Sequence, residues 1–215
     1  HLATADVVDT QFAQQQVSTF MRAVEQVRAL EIEVRHLHIS NSASAIRRLD
    51  TGVSCTMTRV GIAMYGIPGD AATNSFGAAH QLDLRPVMSV HARVSHVQRV
   101  AAGQGVSYGL KRPLESDSTI ATLPLGYADG IPRGIWESGS VLVHGTRRAF
   151  AGVVTMDQTL VNCADDEVSI GDEAVLIGAQ GTELITANEW ANKMGTIGYE
   201  IVCAISARMP RNYIN

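Results

Sequence analysis

Val34–Gly66 reads VRHLHISNSASAIRRLDTGVSCTMTRVGIAMYG, and it contains the same device twice. VRHLHI, residues 34–39, is an apolar-rich run that reads as a short buried strand. SNSASAIRRL then reads as a helix over 41–50, capped by Ser40 or Asn41. The first turn of any helix leaves N–H groups unpaired and carries the positive end of the dipole. Asn41 and Ser42 therefore stand where an anion, most naturally a phosphate, is welcome. A second strand, residues 59–64, repeats the arrangement: Arg59 precedes Val60, Gly61 and Ile62, and a glycine after a strand lets backbone N–H groups approach a ligand oxygen. A cap is usually only a cap, and an arginine beside a glycine is usually a surface residue. Two successive strands that both end in polar groups, joined by one helix, are the pattern of the active face of a β/α barrel or a doubly wound sheet.

Working outward, residues 7–30 place Phe12, Val17, Phe20, Met21, Val24 and Val27 at helical spacing and predict an amphipathic outer helix. With the strands at 34–39 and 59–64 this makes an α/β alternation, which implies parallel strands. Residues 67–83, IPGDAATNSFGAAHQLD, have no periodicity, so the domain boundary is placed there: a barrel part over 1–79 and a second domain over 80–215. Beyond it, runs at 87–100, 118–125, 140–144, 149–155, 159–164 and 173–177 are short, β-rich and separated by turn residues, as in a sandwich or barrel. Thr186 with Glu189 predicts a capping box for one helix, ANEWANKM, stopped by Gly195. Asp165, Asp166 and Glu167 carry no motif and read as a solvated turn. The fold class expected from the residues is thus α/β plus all-β: part of a β/α barrel or a doubly wound sheet, then a β-strand-rich domain.

Composition narrows the function. A net charge of −4 without a block of basic residues argues against nucleic acid as the main partner. No apolar run is long enough to cross a membrane, and HLATADVVDT lacks the features of a secretion signal. Cys55, Cys163 and Cys203 are scattered in apolar surroundings and read as reduced, buried thiols, so a cytoplasmic protein with a small-molecule site is expected.

HISNSA followed by TRVGIAMYG, and then GVSYG, LPLGYADGIPRG, GVVTMDQ and TIGYEIVCAISARMPR, resemble the motifs of the alanine racemase family in the same order over nearly the whole chain. The resemblance implies pyridoxal 5′-phosphate as cofactor, alanine as substrate, D-alanine for peptidoglycan as the product's use, and a homodimer with shared active sites. Asn41, Ser42, Gly61, Ile62 and Tyr199 match the phosphate cradle, and Arg59 matches the residue facing the pyridine nitrogen. Tyr108 matches a tyrosine that the partner subunit supplies as a base, and His1 matches the histidine that links that tyrosine through Arg59 toward His38. Tyr127, Met156 and Asp157 match residues of the second domain that reach the partner's substrate pocket, the Met156 N–H binding the substrate carboxylate. Free phenols ionise only near pH ~10, so a tyrosine base needs a neighbouring donor or positive charge.

Only three or four β/α units' worth of sequence precedes the boundary, whereas a closed barrel needs eight. The resemblance implies that the first part is the last strands and helices of a partial (β/α)8 TIM-type barrel whose front half, with the cofactor lysine, is missing, and this chain alone is expected to be inactive. Lys111 and Lys193, the only lysines, do not end barrel strands, and neither is expected to bind the cofactor. Rival readings are a serine or broad-specificity racemase, a metal-dependent barrel hydrolase using the HxH pair His36 and His38, and a non-catalytic dimerisation fragment. The hydrolase needs further ligands at neighbouring strand ends, where Asn41, Ser42 and Arg59 stand instead, so no metal is expected.

Overall fold

A computed structural model describes residues 1–49, 54–68 and 82–214. The chain divides into two units, His1–Val87 and Met88–Asn215. Most of the stretch expected to hold the boundary, residues 69–81, lies outside the described residues.

In the first unit the expected outer helix is α1, Gln11–Ala29. Thr10 occupies the N-cap position without a side-chain cap. The Asp9 carboxylate does that work, accepting the Gln11 N–H at 2.9 Å. Ala13 and Val24 are buried on one face, and Val17 and Phe20 pack against Leu2, Ala5, Ile39 and Ala43. Residues 13, 17, 20 and 24 follow the i, i+4, i+7, i+11 spacing of a single stripe. Phe12, expected on that stripe, is one residue or about 100° off it and is 52 % exposed.

The run at 34–39, expected as a strand, forms no regular strand, and only its second half is buried: Leu37 and Ile39 are buried while Val34, Arg35 and His36 are exposed. Beside it runs the segment 56–61 in the same direction, with the Thr56 N–H donating to Leu37 O at 2.9 Å and the Arg59 N–H to Ser40 O at 3.1 Å. The Leu37 N–H turns to the Thr56 hydroxyl at 2.9 Å, so a side chain takes a bond that a regular ladder would give to backbone. The second expected strand, 59–64, ends earlier than the apolar pattern suggests. Ile62–Tyr65 is a 3-10 turn closed by Gly66 at φ 71°. A Cβ on Gly66 would lie 1.7 Å from Arg85 O, so the returning chain at 85–87 leaves no room for an extended continuation or for another residue type. Between these segments lies α2, Ser42–Arg47, shorter than the expected 41–50 because Arg48 turns left-handed at φ 56°.

The second unit is antiparallel throughout its strand pairs. Its strands are β1 Val90–Arg93, β2 His96–Val100, β3 Ser118–Leu123, β4 Ser140–Val143, β5 Thr146–Ala149, β6 Thr159–Asn162, β7 Glu173–Gln180 and β8 Glu183–Ile185. They form a sheet of order β1-β7-β4-β5, with β8 on β7, and a three-stranded sheet β2-β3-β6. The run expected as one strand at 87–100 is therefore two, one in each sheet. The change of partner falls on adjacent residues: the Val94 N–H bonds to Asp172 O and the Ser95 N–H to Thr122 O. The strand expected at 149–155 is also corrected. Pairing with β4 ends at Ala149, and residues 150–154 continue as buried chain held by the Phe150–Val161 bridge and by the Ala151 N–H on Leu160 O.

Two helices follow, α3 Ala187–Met194 and α4 Gly198–Ala204. Thr186 caps α3 by accepting the Glu189 N–H, and Trp190 of α3 is fully buried with Phe150 edge-on at 6.4 Å. Only half of the expected capping box forms. Glu189 turns its carboxylate to the Arg147 guanidinium at 2.7 and 3.0 Å. Burial works against this carboxylate, but the Arg147 hydrogen bonds outweigh it and hold Glu189 below the usual range. A lowered carboxyl pKa contributes stability above the unfolded pKa of about 4.3, and loses it as pH falls through the folded value. Glu189→Gln is therefore expected to cost roughly 1 kcal/mol at pH 7. The gap to the natural protein should close below about pH 4 in urea unfolding; a gap independent of pH would mean the pair is not the cause.

Cys163 is buried and Cys55 partly so, whereas Cys203, expected to be buried, is exposed on α4. The acidic turn is not merely solvated: Asp165 meets Arg99 at 2.5 Å and Asp166 pairs with Arg148. Among the described residues no helix is long and apolar enough to cross a membrane.

Candidate functional site

The first unit gathers four of the expected site residues around one guanidinium. Arg59 stands on the second extended segment, and its Nη1 donates to His38 Nδ1 on the first. Its Nη2 faces His1 Nδ1 at 3.1 Å and Ile39 O at 3.5 Å. The His38 nitrogen thus accepts, which puts the ring proton on Nε2 at this contact. On the far side of His1, Nε2 faces the Asn41 amide nitrogen at 3.1 Å. A neutral imidazole has one lone pair to offer, so His1 can accept from only one of these two donors. Asn41 also donates to Leu2 O at 3.2 Å, and its carbonyl caps α2 by accepting the Ser44 N–H at 2.9 Å.

Next to this chain of bonds, the Ser42 hydroxyl accepts the Gly61 N–H at 2.9 Å and the Ala63 N–H at 3.4 Å. With its oxygen so occupied, its own proton is directed elsewhere. A Cβ built on Gly61 would meet nothing within 4 Å, so the glycine borders open space. Ile62 is buried, and only its backbone is available to a ligand. His36 is exposed and His38 faces a permanent cation. The HxH spacing therefore does not make a metal-ligand pair, and among the described residues no three His, Cys, Asp or Glu side chains come together as ligands.

In the second unit Tyr108 begins a 3-10 turn, Tyr108–Leu110, and its side chain is 74 % exposed. Tyr127, Met156 and Asp157 are brought together by backbone. Met156 and Asp157 form the tip of a turn closed by the Thr155 N–H on Gln158 O and by the Gln158 N–H on the Thr155 hydroxyl. The Tyr127 N–H bonds to Thr155 O at 2.9 Å and the Ala128 N–H to Met156 O at 3.0 Å, which docks the GYADG turn on that tip. Tyr199 lies in the first turn of α4.

Two supporting residues escaped the sequence reading. Asp129 is buried and accepts the Gly126 N–H at 2.8 Å. Arg208 bridges Asp129 at 3.3 Å and Asp157 at 2.7 Å, and the Asp157 hydrogen bond, with the Asp129 charge, raises its pKa. Both stand inside motifs already noted, GYADG and ARMPR, but nothing local marks an aspartate and an arginine nearly eighty positions apart as partners. Lys193 is engaged structurally, donating to Ser138 O at 2.7 Å.

Comparison with known proteins bears on the family and the fold. Residues 1–68 match the family described as alanine racemase, N-terminal domain, and residues 87–213 match alanine racemase, C-terminal domain. An alanine racemase of Salinispora arenicola is 41% identical over 99% of this chain and 55% of its own length. One of Halothermothrix orenii is 40% identical over 100% and 55%. The chain thus spans about half the length of the curated relatives it matches. The alanine racemase structure of Streptomyces coelicolor superposes with a TM-score of 0.92 at 38% identity, over all of this chain and 55% of that one. That of Bacillus anthracis, solved with bound L-Ala-P, gives 0.91 at 37%, over all of this chain and 54% of that one. The parallel segments of the first unit are part of a β/α barrel and the antiparallel unit is the β-rich domain that follows it, and the chain belongs to the alanine racemase family.

Proposed function

We propose that this chain supplies the rear of the barrel and the β-rich domain of a pyridoxal 5′-phosphate-dependent racemase that interconverts L- and D-alanine. The product D-alanine would serve peptidoglycan synthesis, in a cytoplasmic homodimer. The observation that carries this reading is the placing of Arg59, bonded to His38 and facing His1, beside the Ser42 hydroxyl that collects the Gly61 and Ala63 N–H groups. A fixed cation next to a hydroxyl and an unfilled glycine suits an anionic ring compound.

The cofactor, when bound, supplies an electron sink that acidifies the amino-acid Cα proton. Asn41, Ser42 and the Gly61 and Ile62 backbone would hold its phosphate, with Arg59 facing its ring nitrogen; Tyr199, which the family resemblance adds to this cradle, stands on the second unit. A guanidinium stays protonated and donates a hydrogen bond without giving up its proton, which keeps that sink weak and limits side reactions. Tyr108 takes or returns the Cα proton on one face. The other face belongs to a lysine that the family resemblance places ahead of this sequence. Tyr127 and Asp157 border the substrate, and the Met156 N–H binds its carboxylate. The family resemblance assigns Tyr108, Tyr127 and Met156 to the partner's site, so each β-rich domain would complete the other subunit's site in a head-to-tail dimer.

The test uses the full-length racemase. It should show a visible absorption band from bound cofactor that borohydride removes. Mixing a Tyr108→Phe protein with one lacking the cofactor lysine should restore roughly a quarter of the sites, since half the exchanged dimers carry one complete site of two. No recovery despite proven subunit exchange would sink the shared site, and bound zinc without the absorption band would sink the racemase.

A further inference from the structure

The residue ahead of Tyr108 is out of place by its own backbone. Ser107 has φ 65° and ψ −179°, a region that only glycine adopts without strain. What keeps it there is its hydroxyl, which donates to Val153 O at 2.6 Å. Val153 is buried, and it lies three residues before Met156 in the segment that leads into the Thr155–Gln158 turn. A Cβ on the neighbouring Gly152 would meet Val106 O at 2.6 Å and Ser107 Cβ at 2.9 Å, so the two segments touch with no spare room. An open cleft of about 290 Å³ borders the tyrosine loop, lined by Val106, Ser107, Leu110, Ile120 and Leu160 among others. The root of the loop is held by the Gly105–Pro113 bridge and by Val106 on the core of Val100, Leu114, Ile120 and Ala151, so the Ser107 hydroxyl is left to fix the tip that carries Tyr108.

We infer that Ser107 is a positioning residue whose hydroxyl straps the Tyr108 loop to the segment carrying Met156 and Asp157, and so sets the tyrosine oxygen against the substrate Cα. This rests on the reading of Tyr108 as the base on one face. Without the hydroxyl, an alanine still bears the unfavourable backbone and escapes by rotating, and Tyr108 moves with it. A glycine accepts that backbone freely and loses only the strap. The two substitutions are thus ordered, with alanine the worse, which is the reverse of their effect in an ordinary loop.

In the full-length holoenzyme, Ser107→Ala should slow solvent exchange of the L-alanine Cα proton roughly 10- to 100-fold, as a small misplacement of a reacting group does. Exchange of D-alanine should change far less, and Ser107→Gly should fall between Ser107→Ala and the natural enzyme. Amide hydrogen exchange across residues 105–112 should quicken in the alanine variant while the rest of the unit keeps its protection. On a Tyr108→Phe background Ser107→Ala should add nothing to the L-alanine loss. Equal losses with both enantiomers, a glycine variant worse than the alanine one, or unchanged amide exchange in the loop would each overturn the role of Ser107. If instead Tyr108→Phe alone affects both enantiomers equally, the base assignment falls, and the amide exchange still decides whether the hydroxyl straps the loop.

Discussion

If Tyr108 is the base proposed above, Tyr108→Phe in the full-length protein is expected to lower Cα proton exchange of L-alanine by roughly 100- to 10,000-fold, the worth of a positioned base. D-alanine exchange, assigned above to the lysine face, should persist. Phenylalanine keeps the ring and its packing but cannot take a proton. The side chain is 74 % exposed within its own unit, so stability should move by no more than about 0.5 kcal/mol. The family resemblance assigns the tyrosine to the face that carries the proton of L-alanine, and this fixes the sign of the asymmetry. Exchange into each enantiomer, followed separately in deuterated solvent, is the measurement. Equal losses with the cofactor still bound would mean that Tyr108 holds the site together and is not its second base.

The second large effect concerns two glycines that look alike in sequence and differ in surroundings. A Cβ on Gly126 would lie 2.1 Å from Thr155 O and 2.6 Å from Met156 O, both backbone atoms that cannot swing aside. Its φ is extended, so the need for glycine is spatial, not conformational. Gly126→Ala should force the Tyr127 turn off the Met156–Asp157 tip, cost about 3 kcal/mol of stability, and raise KM for alanine. Gly61→Ala, where a Cβ meets nothing within 4 Å, should leave apoprotein stability within about 0.5 kcal/mol and still weaken cofactor binding, because the added methyl enters the space assigned to the phosphate. Melting curves with and without cofactor separate the two. A Gly126→Ala protein that melts normally would show that the turns are not in tight contact, and a Gly61→Ala protein with undiminished cofactor affinity would refute the cradle.

Much of this protein was legible in the residues because it is written over short distances. Asn41 caps α2 and Thr186 caps α3, as a polar side chain before an apolar period dictates. The break from α/β alternation to short β runs showed two parts. The ordered motifs brought Arg59, Ser42, Tyr108 and Met156 into one family pattern. Local rules failed where a neighbour distant in sequence held the casting vote. The strand expected at 59–64 turns at Ile62 because the chain at Arg85 crowds Gly66. The run at 87–100 splits because Val94 and Ser95 bond to different strands. The helix α4 carries no side-chain cap and opens on a glycine, so only its packing selects it.

The site divides in the same way. Which chemical groups are present was decided by the sequence alone: an arginine on the second segment, a hydroxyl and a glycine beside it, a tyrosine on a glycine-rich loop. Tertiary structure decided how they are held. His38 and His1 flank Arg59, Arg208 joins Asp129 to Asp157, and a strained Ser107 reaches Val153. These bonds depend on angles of a few degrees and distances of a few tenths of an ångström between segments far apart in the chain. Residue spacing carries no such information, because the same spacing is compatible with many relative placements of the segments.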